Sequence, residues 1–353
     1  MELLDNTLAA ITRQDQTARH QAQERLDQLI MPHWALGRLM DLALDLAGIS
    51  GSITPVVKRK LILVMAGDHG VAASGVSRFG QEVTVQMVQS YFAGVAGCNV
   101  LARQAGAKVA VVDMGIAGEL TGAAADLVIK RKVARGTADF TRGPAMTRDQ
   151  AIQALEAGIE VTQAFADEVD LFGTAEMGIG NTTSSSAIVA ALCGLSAAAA
   201  TGRGSGLNDE QLERKIAIVE QGLAVNQPVA ADPLDVLAKV GGFEIAGIAG
   251  QILGAAALRK PIVVDGFIST AGALVAAKLA PACTDFMIAS HRSMERGHLA
   301  ALAELGKEPL LDLNFRLGEG TGAAMAMNLV EGAVAILTEM ATFAEAAVSQ
   351  ATR

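Results

Sequence analysis

The sequence predicts an α/β chain built on a parallel six-stranded sheet with helices on both faces. Three observations carry this. Six short aliphatic runs recur along the chain, each followed by a glycine or polar loop. Ala-rich segments with helical spacing lie between most of them, and buried strands alternating with helices indicate a parallel sheet covered on both sides. Ala and Gly are abundant while aromatics are only 3% of residues, a composition suited to helices lying close on a sheet.

The elements follow in order. Residues 15–29 predict a polar helix with Leu26, Leu29 and Ile30 as a thin apolar stripe, ended by Pro32. Helical patterning resumes over 36–46, and 49–55 reads as a linker. The six predicted strands are 61–66, 109–113, 171–175, 261–264, 286–289 and 310–313. Between them, 83–105, 151–169, 184–195, 209–223 and 271–279 predict helices. The tail, 321–351, is Ala/Met/Leu-rich with Glu331, Glu339 and Glu345 along it. It predicts a long helical stretch that breaks near Gly332 or Thr338. The expected organisation is therefore a small helical domain from both chain ends, 1–50 and 323–353, around a catalytic domain over 51–322.

Length and charge exclude several classes. A chain of 353 residues buries a substantial core, and 51% hydrophobic against 18% charged residues excludes a disordered chain. Lys and Arg number 28 against 37 Asp and Glu, a net charge of −9. That argues against nucleic acid or an anionic membrane as partner. A small anionic substrate stays possible, because one Lys or a helix N-terminus can hold a phosphate. Cys98, Cys193 and Cys283 lie far apart, and His20, His33, His69, His291 and His298 form no ligand spacing. No disulfide framework and no metal site are expected. The first residues, Met1-Glu2-Leu3-Leu4-Asp5, do not read as a signal peptide. The stretch 187–200 is broken by Gly194 and Ser196 and short for a membrane span. A cytoplasmic protein is expected.

Right-handed crossovers place the loops after parallel strands on one edge, where ligands bind. Glu176-Met177-Gly178-Ile179-Gly180-Asn181-Thr182-Thr183 has the grammar of a phosphate loop: two glycines, then polar residues opening a helix with free N–H groups. An ordinary strand–helix turn with Thr as N-cap fits the same residues. Thr201-Gly202-Arg203-Gly204-Ser205-Gly206 is a second flexible loop, and Arg203 or Lys215 can neutralise a phosphate or simply be solvated. Glu319 stands between two glycines after a strand; it reads as a general base facing a ligand or as a capping carboxylate. Asp265 reads as a ribose-binding carboxylate or a turn-former. His69 reads as a structural hydrogen-bonding residue, and Phe79 as a pocket wall or as core. GxxxxGK[ST] is missing, and GxGxxG does not follow the first strand, which counts against a nicotinamide-dependent oxidoreductase. A non-catalytic nucleotide-binding protein is the other rival.

Taken together, five loops resemble a known family. They are Ala66-Gly67-Asp68-His69-Gly70-Val71, the 176–183 loop, Val264-Asp265-Gly266-Phe267, Ser290-His291-Arg292-Ser293 and Leu317-Gly318-Glu319-Gly320-Thr321-Gly322. Their order and spacing resemble the nicotinate-nucleotide–dimethylbenzimidazole phosphoribosyltransferases of cobalamin lower-ligand synthesis. The family's first motif usually reads Ala-Asp-His-Gly; here Gly67 stands in place of the Ala. The resemblance implies a Rossmann-like large domain, a homodimer, and no cofactor or metal. It implies transfer of ribose 5-phosphate from nicotinate mononucleotide to 5,6-dimethylbenzimidazole, giving α-ribazole 5′-phosphate and nicotinate. Carried over by position, Glu319 is the general base. Glu176, Gly178, Gly180, Asn181, Thr182, Gly204, Lys215, Asp265 and Ser293 bind the nucleotide and its phosphate. Phe79, Gln86 and Leu317 line the benzimidazole pocket.

Overall fold

The computed structural model describes residues 1–349. It contains one six-stranded sheet, all parallel: β1 (Lys60–Gly67), β2 (Ala107–Gly115), β3 (Ile129–Lys130), β4 (Leu171–Met177), β5 (Ile262–Val264) and β6 (Met287–Ala289), in spatial order β3-β2-β1-β4-β5-β6. This is a Rossmann-like order, and it reverses direction between β1 and β4, so a crevice opens beyond their carboxyl ends. All residues of β1 and β4 are buried, as continuous aliphatic runs require when helices cover both faces.

One face is covered by the helices Arg38–Ser50, Gly97–Gln104 and Thr321–Glu339. The other is covered by Arg148–Ala164, Phe243–Ala257 and Phe267–Leu279. The first two of these meet through glycines. A Cβ at Gly158 would overlap the Gly247 carbonyl, and one at Gly250 the Leu155 carbonyl. Small residues let these backbones touch, which is the packing that an Ala/Gly-rich composition favours.

The chain ends meet on the first face. Arg25 donates from Nε to the Leu337 carbonyl (2.7 Å), and the Phe343 N–H donates to the Gln28 carbonyl (2.9 Å). The N-terminal Glu2–Ala10 helix instead packs on the opposite face, against Arg148–Ala164 and Phe243–Ala257.

Several expectations are corrected. The predicted strand at 310–313 is not a strand. Leu311 makes one isolated parallel bridge to His291, after which Leu313 is exposed and Asn314 turns at φ +57°. The sixth strand is instead β3, two residues beside β2, too short to leave an aliphatic run. The 83–105 segment is two helices, Glu82–Ala93 and Gly97–Gln104, parted at Gly94 with φ +73°. The 16–26 helix stops at Leu26, well before Pro32. The tail helix runs unbroken through Gly332 and ends at Glu339, beside Thr338, the second of the two expected break points; residues 350 and 351 of the expected stretch lie outside the described residues. Among the described residues, Thr321–Glu339 is the helix long and apolar enough to cross a membrane. Half of it is buried against the sheet and the Arg38–Ser50 helix, as a core helix is.

Candidate functional site

A cavity of about 1080 Å³ lies beyond the carboxyl ends of β1 and β4. That is large enough for a nucleotide together with a second ring. Its walls gather Phe79, Glu176, Gly178, Gly180, Asn181, Thr182, Gly204, Ser293, Leu317 and Glu319, ten of the residues singled out from the sequence.

Glu319 sits on a strained turn. Gly318, Glu319 and Gly320 have φ of +77°, +58° and +82°. Left-handed backbone is natural for the glycines and costly for the glutamate, so something must hold it. Two acidic side chains do. The Glu319 N–H donates to Glu176 Oε1 (3.0 Å), and the Gly320 N–H donates to Asp265 Oδ2 (3.1 Å). Asp265 Oδ1 accepts from the Ala323 N–H (2.9 Å), and the Thr321 hydroxyl donates to the Gly318 carbonyl (2.8 Å). Burial raises the Glu319 carboxyl above the usual carboxylate range, and nearby Asp265 adds to the rise; neighbouring Tyr91 works against it.

Asp265 lies behind this turn. It is buried and its two oxygens are taken by backbone N–H groups of the Glu319 turn, so it does not line the cavity. It holds the turn, the second of the two readings its sequence position offered.

Glu176, at the end of β4, is enclosed by protein. Burial pushes its carboxyl up to about 8, the nearby acids Glu319, Asp265 and Glu244 add to the rise, and the bond from the Glu319 N–H opposes it. It therefore carries its proton at neutral pH. Its second oxygen accepts from the Asn181 side-chain amide. Glu176 thus ties the Glu319 turn to the start of the Asn181–Cys193 helix.

That helix start forms the other end of the cavity. Gly180 turns the chain at φ +100°. Gly178 is needed for packing, since a Cβ there would overlap the Gly67 carbonyl of the β1 loop. Lys215, from the Asp209–Asn226 helix, is fully buried and donates from Nζ to Thr182 Oγ1 (2.8 Å). Burial lowers its ammonium to about 8, and Glu295 alone opposes that. Lys215 does not itself face the cavity; it stands behind Thr182 and Gly204. A Cβ at Gly204 would lie 3.0 Å from both Lys215 Nζ and Thr182 Oγ1, so glycine leaves the Lys–Thr pair room. The Gly204 N–H donates to Glu295 Oε1 (2.8 Å). Ser293 is fixed through its N–H to His298 Nδ1 (2.9 Å); burial lowers that imidazole to about 3, so it stays a neutral acceptor.

His69 is structural. It lies beneath the loop, buried, with Nε2 2.6 Å from Glu244 Oε1 and Nδ1 3.0 Å from Ser184 Oγ.

The remaining wall is apolar. Val83 and Met87 of the Glu82–Ala93 helix, Val100 and Leu101 of the next helix, and Ile179 face Phe79 and Leu317 at the rim. Phe79 is 54% exposed and Leu317 58% exposed. Gln86 lies on the same helix, exposed, one turn after Val83 and next to Met87, and is not among the residues that line the cavity. Val83, Met87, Val100 and Leu101 were not singled out from the sequence, because apolar helix stripes look the same whether they face core or cavity; Glu295, a lone charge in an edge loop, left no signal there either.

The profile of a family described as Phosphoribosyltransferase matches residues 11–348. A curated protein of Syntrophotalea carbinolica, named nicotinate-nucleotide–dimethylbenzimidazole phosphoribosyltransferase, is 62% identical and covers 99% of each chain. A protein of the same name from Desulfotalea psychrophila is 57% identical, again over 99% of both. A crystal structure titled CobT from Thermus thermophilus aligns with a TM-score of 0.91 at 46% identity, over 95% of this chain and 100% of that one.

Proposed function

The chain belongs to the nicotinate-nucleotide–dimethylbenzimidazole phosphoribosyltransferase family and is an enzyme of phosphoribosyl transfer in cobalamin lower-ligand synthesis; on that premise we propose how its own residues carry the reaction. The donor is nicotinate mononucleotide and the acceptor 5,6-dimethylbenzimidazole. The products are α-ribazole 5′-phosphate and nicotinate.

The observation that carries this reading is the placement of Glu319. A single partly enclosed carboxyl, raised above its ordinary range, lies in one cavity with an apolar wall and a helix start backed by a buried lysine. The apolar wall, with Phe79 and Leu317 at its rim, takes the flat acceptor. The helix start and Thr182 take the phosphate, with the Lys215 ammonium behind them to balance its charge.

In the donor the glycosidic nitrogen is part of a pyridinium. When the C1′–N bond breaks, its electron pair returns to that ring, so nicotinate leaves without a general acid. C1′ becomes oxocarbenium-like. The lone pair of one acceptor nitrogen forms the new C1′–N bond, positive charge builds on the acceptor, and its N–H proton passes to Glu319. A carboxyl whose proton affinity is raised takes that proton more readily than an exposed one. Attack from the face opposite the leaving ring inverts C1′ and turns a β-nucleotide into an α-nucleotide. This requires the two rings on opposite sides of the ribose in a near-attack arrangement. The protein works as a homodimer in this reading.

The test is a product assay. Mixed with nicotinate mononucleotide and dimethylbenzimidazole, the protein releases nicotinate and α-ribazole 5′-phosphate in equal amounts. The β-anomer as product, or nicotinate release without an acceptor, would overturn the reading. Adenine and phenolic acceptors in the same assay define the acceptor class.

A further inference from the structure

Tyr91 has no part in the reaction as written, yet its surroundings single it out. It lies on the Glu82–Ala93 helix, one turn beyond Met87, so it continues the stripe that lines the cavity at a deeper level. It is buried, and its carbonyl is held by the Asn99 side-chain amide (3.1 Å). Its hydroxyl is shielded from water and has no hydrogen-bond partner among the described residues. The carboxyl of Glu319 lies beside it. That carboxyl in turn makes no hydrogen bond to a described residue at normal distance, although its backbone is tightly held. A buried phenol needs an acceptor, and a general base needs a fixed orientation. Rotation of one side chain supplies both.

We propose that Tyr91 is a positioning residue, donating its hydroxyl hydrogen to one Glu319 oxygen and leaving the other oxygen to face the acceptor N–H. Burial and the neighbouring acids Glu319 and Glu176 raise the phenol well above its ordinary range, so it remains a donor throughout the working pH range. A donated hydrogen bond stabilises the carboxylate. It therefore checks the rise that burial imposes on Glu319 and keeps the base ionised at neutral pH.

This inference rests on Glu319 being the base, and the experiment separates the two. In Tyr91→Phe only the hydroxyl is lost. We expect kcat to fall roughly tenfold, the scale of one charge-assisted hydrogen bond, with KM for nicotinate mononucleotide unchanged. The acid limb of kcat/KM moves to higher pH, because the carboxyl loses a stabilising donor. In a Glu319→Gln background the same change adds no further loss. An unmoved acid limb, or a full further loss in that background, overturns the proposal. Tyr91 is the chain's single tyrosine, so ultraviolet resonance Raman spectroscopy reads its hydroxyl without ambiguity. In the intact enzyme it reports a donor bond that changes in Glu319→Gln. An identical tyrosine spectrum in both proteins overturns the bond. Normal turnover of Glu319→Gln with a changed spectrum sinks the base and leaves the bond.

Discussion

The two ends of the cavity carry opposite charge and meet the same physics. At one end Glu176 and Glu319 are carboxyls that burial drives towards the neutral form; at the other Lys215 is an ammonium that burial also drives towards the neutral form. The consequences differ. A carboxyl with raised proton affinity gains as a base, which is chemistry. A buried ammonium gains only when an anion arrives, which is binding. One fold thus divides its enclosed charges between the step and the grip. The division can be broken at either end.

Glu319→Gln gives the largest effect. Turnover falls roughly 100-fold or more, the usual scale for a general base, while affinity for nicotinate mononucleotide stays near normal in calorimetry. Turnover near the wild-type rate would move the base elsewhere. Lys215→Ala comes next and acts on the other end. Affinity for nicotinate mononucleotide weakens about 10- to 100-fold, the cost of one charged hydrogen bond, and affinity for nicotinate riboside does not change. Equal losses for both ligands would remove the phosphate role. The pH dependence follows the same line. The free Lys215 ammonium is lost as pH rises past about 8, so donor affinity falls above that pH in the wild type and not in Lys215→Ala.

Glu176 sharpens the contrast, because its proton serves structure. Its folded-state value, about 8, lies above that of an unfolded glutamate. The folded protein thus binds more protons between the ordinary carboxylate range and about 8, and stability falls as pH rises through that window. The slope is at most about 1.4 kcal/mol per pH unit. Glu176→Gln mimics the protonated carboxyl. Its denaturant midpoint should vary less between pH 5 and 8 than that of the wild type; an unchanged pH slope would show that Glu176 is ionised.

What the sequence disclosed follows from what each contact depends on. The long strands β1, β2 and β4 leave aliphatic runs, because burial on both faces demands them. The two-residue β3 leaves none, and Leu310 to Leu313 imitates a strand with residues that serve a loop. The Phe243–Ala257 helix is apolar on every side and packed through glycines, so it shows no amphipathic period to find. At the site, Glu319 was legible because glycines flank it and nothing nearby in the chain explains it. Lys215 stayed open between a phosphate partner and a solvated charge until the resemblance was drawn, since its burial depends on residues distant in sequence. Asp265 stayed open for the reverse reason: a carboxylate after a strand looks alike whether it holds a ribose or the next turn of backbone. Tyr91 was invisible, lying in an apolar stripe that reads as core.

The smallest effect belongs to the rim, and it tests whether the apolar wall is a third, uncharged region of the site. Phe79 is about half exposed, so its removal forfeits only part of a buried aromatic's contribution, about 1 kcal/mol or roughly fivefold. In Phe79→Ala that loss should fall on KM for dimethylbenzimidazole, with kcat and the donor KM near wild type, because the ring touches the acceptor and neither the base nor the phosphate. The loss should shrink when the acceptor is unsubstituted benzimidazole, which offers the wall less apolar surface. A donor-side effect instead would place Phe79 against the nucleotide and reverse the two ends of the cavity.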